Sequence, residues 1–230
     1  MMAVYDLEEQ EQLAELKTWW NQYGNLVTSI VLAVALAVAA WQGWNWWQRD
    51  QAAQASVVYG GLQQAALQHD AKRVRELAGD LIDKFPRTAY AVMGALVSAR
   101  VQQEVGETKT AQVQLQWVAD NASDDAMRAL ANLRLAGVLL DEKNYDAALT
   151  RLASVPAAPF LARHSEIKGD VFAAQGKFAE ARIAYEEAIA AIEEKQKRAD
   201  ADGNERGRHL AYQEVLRAKL DGLASSGVKP

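Results

Sequence analysis

The chain has 230 residues and no cysteine, which excludes disulfides, thiolate metal sites, a cysteine nucleophile and a lipidated N-terminal cysteine. Its formal charge of −5 is unevenly placed: residues 1–17 carry Asp6, Glu8, Glu9, Glu11 and Glu15 against Lys17, whereas the part after Gln48 is close to neutral. A nearly neutral body lacks the basic footprint of a nucleic-acid binder.

Residues 5–17 set Leu7, Leu13 and Leu16 among acids, the pattern of a weakly amphipathic, acidic helix start. It reads either as a solvated tail or as a docking segment for a basic partner. Between Thr18 and Gln48 there is no charged residue. The centre of this stretch, Leu26 to Ala40, is almost wholly aliphatic, with Trp19 and Trp20 before it and Trp41, Trp44, Trp46 and Trp47 after it. From Tyr23 to Trp44 a helix rises roughly 31 Å, which matches a hydrocarbon core of about 30 Å with aromatic rings at both interfaces. A buried core helix would have to hide both tryptophan clusters. A cleaved signal peptide would need a basic start where this chain is acidic, although Ala37-Val38-Ala39 has the form of a cleavage site. The stretch is therefore expected to cross a membrane once. Lys17 on one side and Arg49 on the other give the positive-inside rule nothing to choose between.

Within the span, small residues recur every four positions. Ser29, Ala33 and Ala37 form one stripe and Ala35, Ala39 and Gly43 another. Such stripes let helix backbones approach closely in lipid, so they mark a possible face for a membrane-embedded partner. No proline occurs before Pro86, so the helix is expected to continue to about Gln68, where His69-Asp70 breaks the pattern.

Paired helices are expected from there on. Their expected bounds are Ala71 to Lys84, Arg87 to Val105, Thr110 to Ala119, Ala126 to Leu140, Asn144 to Val155, Phe160 to Gln175 and Lys177 to about Lys197. Asp120 to Ser123 reads as a turn and cap, and Pro156 and Pro159 as a helix stop. No bounded alternation of period two appears, so no sheet is expected. Ala136, Tyr145, Ala148 and Leu152 recur 33 residues later as Gly169, Phe178, Ala181 and Tyr185. The second copy, with Gly169, Phe172, Gly176, Phe178, Ala181, Tyr185 and Ala188, resembles the tetratricopeptide repeat consensus. Gly106, Ala111 and Leu115 fit a looser third copy, and Pro86 can close a degenerate first one. After Ile192 the composition becomes charged up to His209, as a helix extension or a linker. Leu210 to Leu223 is expected to form a helix capping the last repeat, and residues 224–230 to be disordered.

Catalytic patterns are missing from the sequence. His69, His164 and His209 lie on different segments, and there is no HExxH, GxSxG, phosphate loop or GxGxxG. The expectation is a non-enzyme with no cofactor and no metal. A repeat solenoid offers instead a concave surface lined by the first helix of each pair. The repeat frame puts Arg100, Gln103, Glu104, Arg163, Glu166 and Asp170 there, a set of mixed charge that reads as a polar groove for extended polypeptide or as ordinary solvated surface.

The N-terminal string AVYDLEEQEQL, LKTWWNQYGN, the apolar run and AAWQGWNWWQRDQAAQAS, followed by LQWVAD and the repeats, resembles the YfgM family of ancillary SecYEG translocon subunits. That resemblance implies a bacterial inner-membrane protein with its N-terminus in the cytoplasm and its repeat domain in the periplasm. It implies partnership with SecYEG and with the membrane-anchored chaperone PpiD, a role with unfolded, newly translocated polypeptides, and a link to the response regulator RcsB. The expected architecture is all-α: a cytoplasmic acidic tail (residues 1–22), a transmembrane helix (23–47) and a periplasmic solenoid of about four hairpins plus a C-terminal helix (48–230). Alternatives are a holdase chaperone acting alone and a regulator holding RcsB through its tail.

Overall fold

The computed structural model describes residues 3–198 and 203–226. All regular structure among them is helical: α1 (Ala3–Leu67), α2 (Ala71–Lys84), α3 (Ala89–Glu104), α4 (Thr108–Asn121), α5 (Asp125–Asp141), α6 (Tyr145–Arg151), α7 (Ala158–Ala174), α8 (Phe178–Arg198) and α9 (Gly203–Ser226). The chain divides into two compact units, Met1–Gln54 and Ala55–Pro230.

In the first unit α1 carries its apolar side chains outward. Ile30, Val31, Leu32, Val34 and Leu36 are all more than half exposed, and so are Trp41 and Trp46. α1 is, among the described residues, the helix long and apolar enough to cross a membrane. Among the described residues the rings pack locally, Trp19 against Trp20 at 6.3 Å and Tyr23 at 5.9 Å, and Trp44 against Trp47 at 5.3 Å between centroids. Exposure all round the helix is what a lipid-facing segment requires and what a soluble core helix cannot have. Thr28 and Ser29 turn their hydroxyls back onto the carbonyls of Gly24 and Asn25 (2.6 and 2.8 Å), so their polar groups are satisfied within the helix.

The second unit is a stack of hairpins. The end of α1 pairs with α2, α3 with α4, α5 with α6 and α7 with α8, and α9 packs on α8. Each of the four hairpins turns through one residue of positive φ: His69 (57°), Gly106 (81°), Lys143 (60°) and Gly176 (74°). Each turn closes with the same pair of backbone bonds. The N–H after the turn residue reaches back five residues, as Asp70 to Ala65 (3.0 Å), Glu107 to Gln102 (2.8 Å), Asn144 to Leu139 (2.8 Å) and Lys177 to Phe172 (2.9 Å). The turn residue's own N–H bonds three residues back, from 2.9 to 3.1 Å. This Schellman closure satisfies the orphan carbonyls at the end of the first helix and turns the chain into the second. Its recurrence makes the end of α1 with α2 a full repeat, although its consensus residues are degenerate.

Small residues set the spacing between helices. Ala136, Ala148, Ala181 and Ala188 are completely buried, and Leu152 and Tyr185 nearly so. A Cβ on Gly169 would come within 2.5 Å of the Tyr185 ring, so only glycine lets α8 lay that ring on α7. The apolar core runs from Val92 and Leu96 through Leu115 and Val118 to Leu135, Val138 and Ile167. A second cluster ties the end of α1 to α2 and α3, and a third joins α8 and α9 through Tyr185, Ile192, Leu216 and Leu223.

Several boundaries differ from those expected. α4 runs on to Asn121, and the cap of α5 is Asp124, whose carboxylate accepts the N–H of Ala126 (2.7 Å) and Met127 (3.2 Å). α6 stops at Arg151, four residues early. Pro159 belongs to the first turn of α7 and is not a stop, because a proline there sacrifices no helical hydrogen bond. The charged segment after Ile192 is helical up to Arg198 and again from Gly203. Residues 224–226 are helical where disorder was expected, and the expectation for residues 227–230 lies outside the described residues.

Candidate functional site

The first helices of the second, third and fourth hairpins contribute to one cavity of about 470 Å³. Arg100 and Gln103 come from α3, Arg134, Gly137 and Asp141 from α5, and Phe160 and Arg163 from α7, over a floor that includes Leu130, Leu133, Val138 and Ile167. Polar side chains stand here because they occupy the helix positions that face neither partner helix, whereas Ala136, Val138 and Leu139 on the same α5 turn into the core.

The six residues taken from the sequence as a concave polar surface divide. Arg100, Gln103 and Arg163 line the cavity together. Glu104 holds Arg100 through a 3.5 Å contact to Nε, both partners being more than half exposed. Glu166 and Asp170 instead hold α9. Glu166 is 3% exposed. It accepts Arg163 Nη1 (2.6 Å) from its own helix, and Lys219 Nζ (2.8 Å) and the Tyr212 hydroxyl from α9. Asp170 accepts the same Lys219 at 2.7 and 2.8 Å and the Tyr185 hydroxyl at 2.8 Å. Lys219 also lies 5.7 Å from the centre of the Tyr185 ring.

Electrostatics follow from that arrangement. Burial alone would raise the Glu166 carboxyl, but the donors Lys219, Tyr212 and Arg163 outweigh it and hold it below the usual carboxylate range. Tyr185 and Tyr212 are both pushed upward, first by burial and then by donating to a carboxylate, so their protons stay on at any physiological pH. Arg163 is raised: burial opposes this, but the Glu166 carboxylate prevails.

Sequence reasoning missed Arg134. It sits in the helix expected from Ala126 to Leu140, one repeat period of about 34 residues after Arg100, and that register was the available signal. Arg134 is exposed, yet the partial burial of its guanidinium, and then the neighbouring Arg100, push it down. Among the described residues no acid pairs with it.

The small-residue stripes stand on the surface of α1. Ser29, Ala33 and Ala37, and Ala35 and Ala39 with Gly43, are exposed, and nothing lies within 4 Å of a Cβ built on Gly43. A depression along Ala35, Ala39 and Gly43 is walled by Trp41 and Trp46.

Residues 17–225 match the family model described as a tetratricopeptide repeat-like domain. The chain is similar to a Neisseria gonorrhoeae protein named ancillary SecYEG translocon subunit, with 30% identity over 94% of this chain and 98% of the relative. Proteins of the same name from Haemophilus influenzae and Escherichia coli are also 30% identical, over 80% and 82% of this chain and 90% of each relative. The alignment thus takes in both units, the exposed apolar helix and the hairpin stack, and the chain belongs to the family of ancillary SecYEG translocon subunits, with a tetratricopeptide repeat-like body.

Proposed function

We propose that this chain is a non-catalytic, membrane-anchored adaptor of the SecYEG translocon. Residues 23–47 cross the bacterial inner membrane, residues 1–22 lie in the cytoplasm, and residues 48–230, with the hairpin stack, stand in the periplasm. There, with the chaperone PpiD, it assists newly translocated polypeptides. The observation that carries this reading is the likeness to translocon subunits along 94% of the chain, in a molecule whose apolar helix faces outward. An apolar span whose aliphatic side chains stand exposed needs lipid or another transmembrane segment to cover it. The stripes Ser29, Ala33, Ala37 and Ala35, Ala39, Gly43 are the faces proposed for that partner.

Affinity isolation from detergent-solubilised membranes tests it. Tagged full-length chain should bring down SecYEG and PpiD, and a photocrosslinker at Ser29 or Ala33 should trap one of their transmembrane segments. Recovery of neither partner, with no crosslink from any face of α1, would sink the proposal. The tail's possible hold on RcsB is separable: deleting residues 2–15 should abolish it and leave the translocon association unchanged.

A further inference from the structure

We propose that the cavity between α3, α5 and α7 receives the side-chain carboxylate of a Glu or Asp in an extended polypeptide, with Arg134 as its main ligand. This rests on the adaptor reading only in supposing that polypeptide passes this face. Three guanidinium groups line the cavity, and their accounts differ. Arg163 is occupied by Glu166 at 2.6 Å. Arg100 is loosely held, at 3.5 Å, by an exposed Glu104. Arg134 has no acid among the described residues and stands close enough to Arg100 to feel its charge. Of these two adjacent guanidinium groups only Arg100 has a carboxylate against it, that of Glu104, and the Arg134 fork is left to receive another in bidentate geometry.

The rest of the lining selects what brings that carboxylate. Phe160, Leu130 and Leu133 offer apolar surface beside the arginines, which suits an aliphatic neighbour of the acidic residue. Asp141 stands on the same helix, two turns beyond Arg134, and there it can accept a peptide N–H and repel a more highly charged group such as a phosphate. Successive hairpins supply the walls, so an occupant that touches all of them lies across the helices as an extended segment. The chemistry is that of a single carboxylate flanked by aliphatic side chains.

The test uses full-length chain in detergent micelles and a peptide, Gly-Ser-Glu-Leu-Glu-Ser-Gly-Cys, acetylated, amidated and labelled on its cysteine with an uncharged BODIPY maleimide, so that side chains carry its only carboxylates. Binding is followed by fluorescence anisotropy at low and at physiological ionic strength. The Gln-for-Glu peptide should bind at least about tenfold more weakly, and R134Q should weaken the acidic peptide by about tenfold. R134K, which keeps the charge without the fork, should fall between. Arg134 is exposed, so circular dichroism should show unchanged helix content in both variants. Equal binding of the Glu and Gln peptides, no binding of either, no effect of R134Q, or restoration of Gln-peptide binding by a free C-terminus would each overturn the assignment. Translocon capture by the same preparation separates the two ideas. Capture without peptide binding defeats only the carboxylate site, and peptide binding without capture defeats only the adaptor reading.

Discussion

The middle and the C-terminal end of the hairpin stack are held together by different chemistry. Between α3 and α6 the core is mainly aliphatic: Ala99, Leu115, Val118, Ala131, Leu135 and Ala136 are buried, and the polar side chains buried on α3 and α4, Ser98, Gln102 and Gln114, are uncharged. Between α7 and α9 a carboxylate at 3% exposure sits at the centre, with Lys219, Tyr212 and Arg163 around it. Apolar burial is non-directional and insensitive to pH, and it lets successive hairpins slide onto one another wherever small residues leave room. A buried carboxylate tolerates only the geometry that satisfies it. The middle of the stack is therefore defined by volume, and the docking of α9 by direction and charge.

Substitutions at the two ends of that contrast should behave differently. Leu115 is completely buried, so L115A should destabilise the hairpin domain by about 3–4 kcal/mol, with the same loss at neutral and acidic pH in denaturant titrations. E166A strips the acceptor from Tyr212 and Arg163, leaves Lys219 with Asp170 alone, and should cost about 3 kcal/mol. That loss should be concentrated in α9, read as hydrogen-exchange protection lost there while α4 and α5 stay protected. A uniform loss along the stack would remove the distinction. G169A places a methyl group against the Tyr185 ring, at 2.5 Å before relaxation, and should cost about 2 kcal/mol by prising α8 from α7.

Acid sharpens the same comparison. The folded Glu166 carboxyl is held below its unfolded value, so its contribution is fully present above the unfolded value of about 4.3 and disappears as pH falls through the lower folded value. α9 should therefore loosen at acidic pH before α3–α6 do, and the effect should vanish in E166Q. Proteolytic cleavage between α8 and α9 across a pH series would report it. The smallest expected effect is a gain. His69 and Lys143 occupy turn positions filled by glycine at Gly106 and Gly176. H69G and K143G should each stabilise by roughly 0.5–1 kcal/mol, because a left-handed conformation strains a residue that carries a Cβ. A loss of melting temperature in either variant would show that the turn side chain makes a contact outweighing that strain.

Much of this was legible in the residues. An uninterrupted uncharged run holding two tryptophan clusters reads as one helix long and apolar enough to cross a membrane, and α1 follows it past Arg49 to Leu67 because no proline intervenes. The alternation of Ala, Gly and aromatic residues from Ala136 to Ala188 fixed the last two hairpins, and the turn glycines Gly106 and Gly176 marked where helices end. The break at His69-Asp70 and the bounds of α2 were legible too, but not the left-handed backbone of His69, because propensity cannot announce a residue held against its preference.

The sequence by itself determined the local matters: which stretches are helical, where most of them stop, and which segment water cannot solvate. Those depend on interactions a few residues apart, whose strength is written in residue type and spacing. Only the tertiary structure decided which charges remain available. Glu166 and Asp170 look like groove residues until α9, 46 residues and more along the chain, brings Tyr212 and Lys219 onto them. Arg134 looks incidental until three hairpins close around it. Whether a charge is neutralised depends on what folding places beside it, and no local pattern encodes that partner.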